Sequence, residues 1–576
     1  MYFYRTIVTV IALSILSAYS QDSDEEDAIS GKLSSASQTV AIASDAQRRP
    51  NILLIVADDL GYTDLGAFGG EINTPNLDEL AEAGMVLSNF HTNSACSPTR
   101  SMLLSGTDNH RAGLGSMPMI MRMYTPELLD EPGYEGVLNF SVAAMPELLQ
   151  DAGYRTYMTG KWDLGLTNEL APASRGFERS YVLLEGGGSH LNDMGILAGT
   201  TKAKYAEDGM PTKLAENFYS TRVYAEKMIE YLQQGQADET PFFAYLSFTA
   251  PHWPLQAPQA SIAKYHGRYD AGYEVLFEQR LRRQKELGLI KADAAGPDLS
   301  QVKRIPGWGE LSDDEKKRSA RTMEIYAAMV DDVDHYVGSV IDTLKEIGEY
   351  ENTFIVFMSD NGAQRSLDMD RAFGIGEAIE ICCDNSYENM GNANSYIGPA
   401  PGWPRVSTGS NSLHKTFPTE GGTRVPAIIS YPNRIDPGQY HHGFISVMDI
   451  MPTFLDLAET EHPGDTYKGR EVVAMSGTSI NNMMQGQVAS VHGEEYVMGW
   501  ELFGRHALRK GHWKIVQIPP PFGSGEWELF NLADDPLEAN DLTEQKPEKL
   551  QEMLGLWAEY VRENGVIISG NDWDQI

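Results

Sequence analysis

The sequence predicts an α/β fold: a large mixed, mostly parallel sheet sandwiched by helices, followed by a smaller C-terminal α+β domain of antiparallel sheet plus helix. Three observations predict it. Four short, continuous apolar runs recur at long spacing, and each leads into polar or ionisable residues. A helical period fills the gap between the last two. Beyond Val491 the texture changes to short, aromatic-rich runs.

Asn51 to Ala57 (NILLIVA) has the continuous apolar character of a strand buried on both faces, and it runs straight into Asp58-Asp59. Thr74-Pro75-Asn76 marks a helix start, with Thr as N-cap and Pro at the first helical position. Leu77, Leu80, Ala81 and Met85 give that helix a buried face, with Gly84 near its end. Tyr154 to Thr159 is strand-like and leads to Gly160-Lys161. Phe242 to Phe248 leads to Ala250-Pro251-His252, and Phe354 to Met358 leads to Ser359-Asp360-Asn361. Between these two runs, Met323, Tyr326, Val330, Val337, Ile341 and Leu344 recur at helical spacing. Strands alternating with helices make an open, mostly parallel sheet covered on both faces. Ligands of such sheets gather beyond the carboxyl ends of the strands, so the four polar strand ends nominate one site assembled from distant sequence. In the C-terminal part, Tyr496 to Trp500, Trp513 to Gln517 and Trp527 to Leu532 read as antiparallel strands. A last helix, Pro547 to Asn564, carries Leu550, Met553, Leu554, Trp557 and Val561 on one face.

The 576 residues are 42% hydrophobic and 22% charged, and 45 Lys plus Arg against 81 Asp plus Glu give a formal net charge of -36. That field repels nucleic-acid phosphates and anionic membrane surfaces, so neither is an expected partner. Arg5, the mostly apolar run from Thr6 to Ser17 and the small residues around Ala18-Tyr19-Ser20 read as a signal peptide over 1–20. The apolar run is shorter than the ~20 residues that span a bilayer. Export to a periplasmic or extracellular space is expected, without stable membrane insertion. Residues 21–47 read as an acidic disordered linker, 48–485 as the catalytic domain and 486–576 as the C-terminal domain. Cys96, Cys382 and Cys383 are the three cysteines. The adjacent pair is either a buried thiol pair or, less readily, a strained disulfide. Cys96 has no obvious partner, which points to chemistry.

Asp58, Asp59, Asp360 and Asn361 are hard oxygen donors at strand ends. Carboxylates crowded there repel one another unless a divalent cation joins them, and an all-oxygen set suits calcium or magnesium, not zinc. Each pair alone also makes a good cap or turn. Cys96-Ser97-Pro98-Thr99-Arg100 precedes good helix material, with Pro98 suited to a first turn. Cys96 is therefore expected at a helix N-terminus, where free N–H groups and the dipole favour an anion and Arg100 can reach back with its charged fork. A lone cysteine is otherwise a small buried hydrophobe.

Cys-x-Pro-Thr-Arg followed by Leu104-Ser105-Gly106 resembles the signature of type I sulfatases of the alkaline phosphatase superfamily, and bacterial arylsulfatases in particular. The resemblance runs from about Pro50 to Asn564. It takes in Gly160-Lys161-Trp162, Ala250-Pro251-His252-Trp253-Pro254, Ser359-Asp360-Asn361-Gly362, His414-Lys415 with Glu420-Gly421-Gly422-Thr423-Arg424, and Trp527 to Leu532. It implies an alkaline phosphatase-like fold and a sulfuric ester hydrolase. Such an enzyme cleaves sulfate monoesters, small-molecule or glycan, through a formylglycine (3-oxoalanine) that a maturation enzyme makes from Cys96 before folding. The formylglycine hydrate attacks sulfur, forms a covalent sulfo-enzyme, and its second hydroxyl expels sulfate. It implies one calcium ion, before magnesium, bound by Asp58, Asp59, Asp360, Asn361 and residue 96. Arg100 holds the formylglycine, Lys161, His252 and Lys415 contact the sulfate, and His252 or Lys415 protonates the leaving alcohol. Where the family usually has histidine after Gly-Lys-Trp, this chain has Asp163. A carboxylate there could accept a proton or partner Lys161, at the expense of added negative charge beside a sulfate. The rival readings are a phosphonate monoester or phosphodiester hydrolase of the same superfamily, against which Asn361 speaks, and a non-catalytic binder of sulfated glycans. A monomer is the expected state, and substrate walls are expected from Gly186 to Gly199 and Ala257 to Gly309.

Overall fold

The computed structural model describes residues 48–237, 239–293, 305–365 and 375–568; the signal-peptide and linker readings for 1–20 and 21–47 lie outside them. Five parallel strands form its centre: β1 (Asn51–Ala57), β2 (Arg155–Lys161), β3 (Arg179–Leu183), β4 (Phe242–Ser247) and β5 (Thr353–Ser359). Their spatial order is β5-β1-β4-β2-β3, within a ten-stranded sheet. Strand Ala427–Ser430 runs antiparallel on the outer side of β5 and Tyr205–Glu207 antiparallel beside β3, so the sheet is mixed with a parallel core.

The continuous apolar runs are explained by burial on both faces. Along β1, Leu53, Ile55 and Ala57 join the core beneath α1 (Pro75–Ala83), α3 (Ser220–Gln234) and α4 (Asp313–Glu346). Ile52, Leu54 and Val56 join the opposite core beneath α2 (Cys96–Ser105) and α5 (Ile450–Leu457). The two-residue period of a strand sends alternate side chains to the two layers. Helix α4 is 34 residues long and starts at a capping box, in which the Glu315 backbone N–H donates to Ser312 Oγ and the Ser312 N–H donates to the Glu315 carboxylate at 2.8 Å. α1 ends at Ala83, and Met85 opens a short strand (Met85–Leu87) instead of completing the helical face as its spacing suggested. Among the described residues no helix is long and apolar enough to cross a membrane.

The C-terminal part is a four-stranded antiparallel sheet, Val497–Leu502, Arg505–Lys510, Trp513–Gln517 and Trp527–Asn531, closed by α6 (Pro547–Asn564). Leu508, Ile515 and Leu529 face Met553, Trp557 and Tyr560 of α6. Met498, Trp500, Val516 and Phe530 belong to the core of the main sheet. The tie is polar as well: Trp500 Nε1 donates to the Thr92 carbonyl at 2.9 Å, and Lys514 Nζ lies 2.8 Å from both Glu420 and Glu538. Just past α2, His110 Nδ1 lies 2.7 Å from Asp108, whose other oxygen accepts from Tyr560 OH of α6, while His110 Nε2 lies 3.6 Å from Glu501.

Burial alone would lower the pKa of His110, but Asp108 and Glu501 outweigh it and push it up to about 9 from 6.5. A group whose folded pKa is raised stabilises fully below its unfolded pKa and loses that contribution as pH rises through the folded value. The expected result is a His110→Gln variant that melts well below the wild type at pH 6.5, by on the order of 3 kcal/mol. The gap should narrow steadily as pH rises from 6.5 and be nearly closed at pH 9, and thermal melts across pH 6–10 check it.

Candidate active site

The carboxyl ends of β5, β1, β4 and β2 lie side by side, and each delivers groups to one buried cluster. β1 is followed by Asp58 and Asp59, β2 ends on Lys161, β4 ends on Ser247 and leads to His252, and β5 is followed by Asp360 and Asn361. α2 supplies Cys96 as its first residue and Arg100 one turn on. Glycine is needed at two of these ends. Gly160 has φ 105°, and a Cβ there would stand 1.7 Å from the Ser247 carbonyl oxygen. A Cβ on Gly362 would stand 1.9 Å from the Gly421 carbonyl oxygen, and this approach brings the segment carrying Lys415 against the end of β5: Lys415 N–H donates to the Ala363 carbonyl at 3.0 Å.

All ten nominated residues meet. Cys96 Sγ lies 3.4 Å from Asp58 Oδ1, 4.0 Å from Asp59 Oδ1 and 3.1 Å from Lys415 Nζ. Lys161 Nζ donates to Asp58 Oδ2 at 2.7 Å, and Lys415 Nζ to Asp59 Oδ1 at 2.6 Å. Arg100 donates through Nε and Nη2 to Asp360 Oδ2 at 3.0 and 2.7 Å. The other Asp360 oxygen accepts the Asp59 backbone N–H at 3.2 Å. Asn361 Nδ2 donates to Asp59 Oδ1 at 2.7 Å. His252 Nδ1 bonds the Trp253 carbonyl at 2.6 Å, which leaves Nε2 to address the cluster, 3.7 Å from Asp59 Oδ2. Asp59 holds φ 67°, a left-handed conformation that costs a non-glycine residue on the order of 1–3 kcal/mol and persists here because the neighbours fix it.

Asp163 stands apart in kind. It accepts from Ser97 Oγ at 2.8 Å and lies 3.7 Å from Lys161 Nζ, so its charge is shared between a hydroxyl and an ammonium beside the site. Two participants had escaped the sequence reading. Ser247 accepts from Arg100 Nη1 and donates to the Lys161 carbonyl at 2.8 Å, and Ser97 holds Asp163. Ser247 was legible only as a polar residue inside the apolar run Phe242 to Phe248; Ser97 carried no signal. Cys382 and Cys383 are bonded to each other and half-buried at the end of the helix Gly376–Cys382, which decides against the thiol pair.

Burial raises the Cys96 thiol and Asp58 pushes it further, so its pKa lies well above the usual range. A thiol in that setting carries almost no thiolate and is a poor nucleophile as it stands. Burial disfavours the charged forms of Lys161 and Lys415, but Asp58 and Asp59 override it and both stay protonated. Burial lowers His252, opposed by Asp59 and Asp58.

The donor set fits a hard divalent cation. Asp59 Oδ2 and Asn361 Oδ1 are buried oxygens with no hydrogen-bond partner, which is costly unless something else coordinates them. Asp58, Asp59, Cys96 and His252 each offer a ligand atom within 4.8 Å of the others. With Asp360 and Asn361 beside them, four oxygen-bearing residues stand against one thiol and one imidazole, a balance that suits calcium or magnesium better than zinc. Beyond the cluster opens a cavity of about 270 Å³. Gly186, Ile196 and Leu197 line it as anticipated, but among the described residues none of 257–309 does; Met117, Met119, Ile120, Met123 and Phe503 take that place.

Comparison with known proteins gives a consistent picture. Residues 50–460 match the family model described as Sulfatase, and residues 411–561 the one described as N-sulphoglucosamine sulphohydrolase, C-terminal. An uncharacterized sulfatase of Schizosaccharomyces pombe is 46% identical over 545 residues, covering 91% of this chain and 96% of that one. An arylsulfatase of Klebsiella aerogenes is 37% identical over 454 residues, covering 78% and 95%. A crystal structure of Ps i-CgsB in complex with k-i-k-neocarrahexaose superposes with a TM-score of 0.62 at 24% identity, over 90% of this chain and 93% of that one.

Proposed function

The chain belongs to the sulfatase family and is a sulfuric ester hydrolase, and from that premise we propose that it hydrolyses sulfate monoesters, arylsulfatase-like, with a formylglycine made from Cys96 and one calcium ion. The observation that carries this reading is the position of Cys96: first residue of α2, sealed from solvent, and in contact with Asp58 and Lys415 together.

Asp58, Asp59, Asp360 and Asn361 would hold the calcium ion, which would supply Lewis-acid charge, and a hydrated aldehyde at position 96 would supply an oxygen nucleophile with a second hydroxyl for releasing sulfate. The chain's own groups do the rest. Arg100 clamps Asp360, and Asp360 in turn fixes the strained Asp59 backbone. The helix N-terminus and the ammonium groups of Lys161 and Lys415 bind the sulfate oxygens and stabilise charge as the ester bond breaks. His252 has one nitrogen tied to the Trp253 carbonyl, so it moves a proton at Nε2 alone; there it serves the departing alcohol oxygen, a task Lys415 can share. Three carboxylates meet three permanent cations in this cluster, so a divalent ion leaves it net positive despite the -36 of the whole chain. Asp163 tempers Lys161 from the rim. The remaining proposals follow from the sequence: export to a periplasmic or extracellular space, and maturation by a formylglycine-generating enzyme.

The test is sulfate release from a simple aryl sulfate. Protein made in a maturation-competent host should turn it over, and protein from a host lacking that enzyme should not. Equal activity from the two preparations would overturn the formylglycine reading.

A further inference from the structure

A second cavity, of about 110 Å³, opens where the C-terminal sheet meets the main sheet, and it shares no lining residue with the catalytic cavity. Arg509 of strand Arg505–Lys510 lines it with Asn89 and Phe444, while His442, Ser490 and His512 stand exposed at its mouth. Arg509 itself is only 6% exposed, and its guanidinium lies over the Phe444 ring, 4.5 Å from the centroid. Nε donates to the Gly511 carbonyl at 2.9 Å, and Nη1 lies 3.2 Å from His91 Nε2 and 3.5 Å from Asn89 Oδ1. Among the described residues Nη2 has no hydrogen-bond partner, and no carboxylate stands within ion-pair distance of Arg509.

The charges around this arginine do not balance. Arg424, Arg509 and Lys514 are buried cations that share two carboxylates, Glu420 and Glu538. Lys514 Nζ already engages both of them, at 2.8 Å each. Arg424 is spent on the Ser88 carbonyl, Tyr62 OH and Asn411. Burial pushes the pKa of His91 well below its usual value, so this histidine adds no charge. Burial also lowers the pKa of Arg509, against the pull of Glu420. A buried cation without a partner is costly unless a counter-charge comes to it. The group carries one positive charge in excess, and Arg509 is the member that borders open space.

The chemistry of the lining selects an anion. Among the described residues the one grouping of His, Cys, Asp and Glu close enough to hold a metal is the catalytic cluster, so the histidines here do not make a cation site. Glu494, the one acid in the lining, is exposed and turned to His512 at 3.4 Å. A guanidinium with a free nitrogen suits the oxygens of an oxyanion. A space of about 110 Å³ is below the size of organic ligand sites and takes a small inorganic ion.

We propose that this cavity is a second anion site, in which Arg509 Nη2, with His442 and His512 at the mouth, holds one sulfate ion, the anion that the hydrolysis itself releases. The choice of sulfate among small oxyanions rests on the sulfatase reading; the site rests on the uncompensated charge of Arg509.

The experiment titrates the full-length chain with sodium sulfate in a calorimeter at constant ionic strength, with sodium phosphate as the second arm. The protein carries Lys415→Ala, which weakens sulfate binding at the catalytic cluster, and is compared with the same protein carrying Gly493→Asp or Arg509→Gln as well. Gly493 lines the cavity, is exposed and has open space where a Cβ would be, so an aspartate there sets a negative charge beside the anion without disturbing the fold. Lys415→Ala protein should bind one sulfate per chain. Gly493→Asp should weaken that binding ~10-fold or more, and Arg509→Gln ~100-fold. Thermal melts check that each variant folds; if Arg509→Gln does not, Gly493→Asp decides. Crystals soaked in selenate should show an anomalous selenium peak within hydrogen-bond distance of Arg509. No sulfate bound by Lys415→Ala protein, binding unmoved by Gly493→Asp, phosphate bound with sulfate refused, or a selenium peak only at the catalytic cluster would overturn the inference. The sulfatase reading is tested separately, by aryl sulfate release from the matured unsubstituted enzyme, and none of these outcomes touches it.

Discussion

Cys96→Ser protein releases no measurable sulfate, with kcat/KM reduced by on the order of 10⁴-fold or more relative to matured wild type. Serine keeps the size and polarity of the side chain and its place at the head of α2 between Asp58 and Lys415, so the fold and the electrostatics survive. What it lacks is a second hydroxyl: an ester of sulfate formed on serine has no internal route to expulsion. A single turnover without a second is therefore the expected signature, read as a stoichiometric burst of alcohol followed by arrest. Mass analysis of the peptide carrying position 96 completes the test. Active wild-type protein should carry an aldehyde there and inactive protein the thiol. Steady turnover by the serine variant would remove the formylglycine from the scheme.

Removing the divalent ion should be as damaging, and Asp59→Asn should reproduce the effect. Asp59 is the hub of the cluster: it contacts Lys415, Asn361 and His252, and its Oδ2 is one of the buried oxygens without a partner. Chelator-treated enzyme should lose activity and recover it with calcium. A binding readout independent of turnover is available. An ion at 100 times its Kd stabilises a folded protein by about 2.7 kcal/mol, so wild type should melt higher with calcium than after chelation. Asp59→Asn should abolish that increment. The variant keeps size and packing, so it should still fold, and it relieves crowding between carboxylates. A calcium-dependent melting shift unchanged in Asp59→Asn would show that the ion, if bound, sits elsewhere.

The central sheet was readable because its strands are buried on both faces, which makes the runs NILLIVA and FFAYLS almost wholly apolar. The cluster was readable because each run is followed within a few residues by an ionisable one: Asp58, Lys161, His252 and Asp360. The missed elements failed for identifiable reasons. Strand Arg505–Lys510 (RHALRK) is charged, yet buried Arg505 donates to the Thr416 carbonyl at 2.9 Å and buried Arg509 Nη1 lies 3.2 Å from His91 Nε2. Long-range polar partners let a strand be polar in sequence and buried in space. Short strands such as Met85–Leu87 and Tyr205–Glu207 hold too few residues to show a period. The cavity beyond the catalytic cluster was the least legible part. Its walls meet only in three dimensions, from a methionine-rich helix, a loop and a hairpin tip.

The order in which the chain is made bears on the proposed conversion of Cys96. Strand β1 is synthesised well before the strands that flank it, Phe242–Ser247 and Thr353–Ser359. The lysine that finally closes over Cys96 follows it by 319 residues. At ~5–20 residues per second that is roughly 15 to 60 seconds during which the cysteine belongs to an open chain. On the formylglycine reading proposed above, a modifying enzyme would have that interval to reach a side chain that is buried once the chain has folded. Slower elongation or delayed collapse should therefore increase the modified fraction, and a thiol form that has already folded should resist rescue until it is unfolded again.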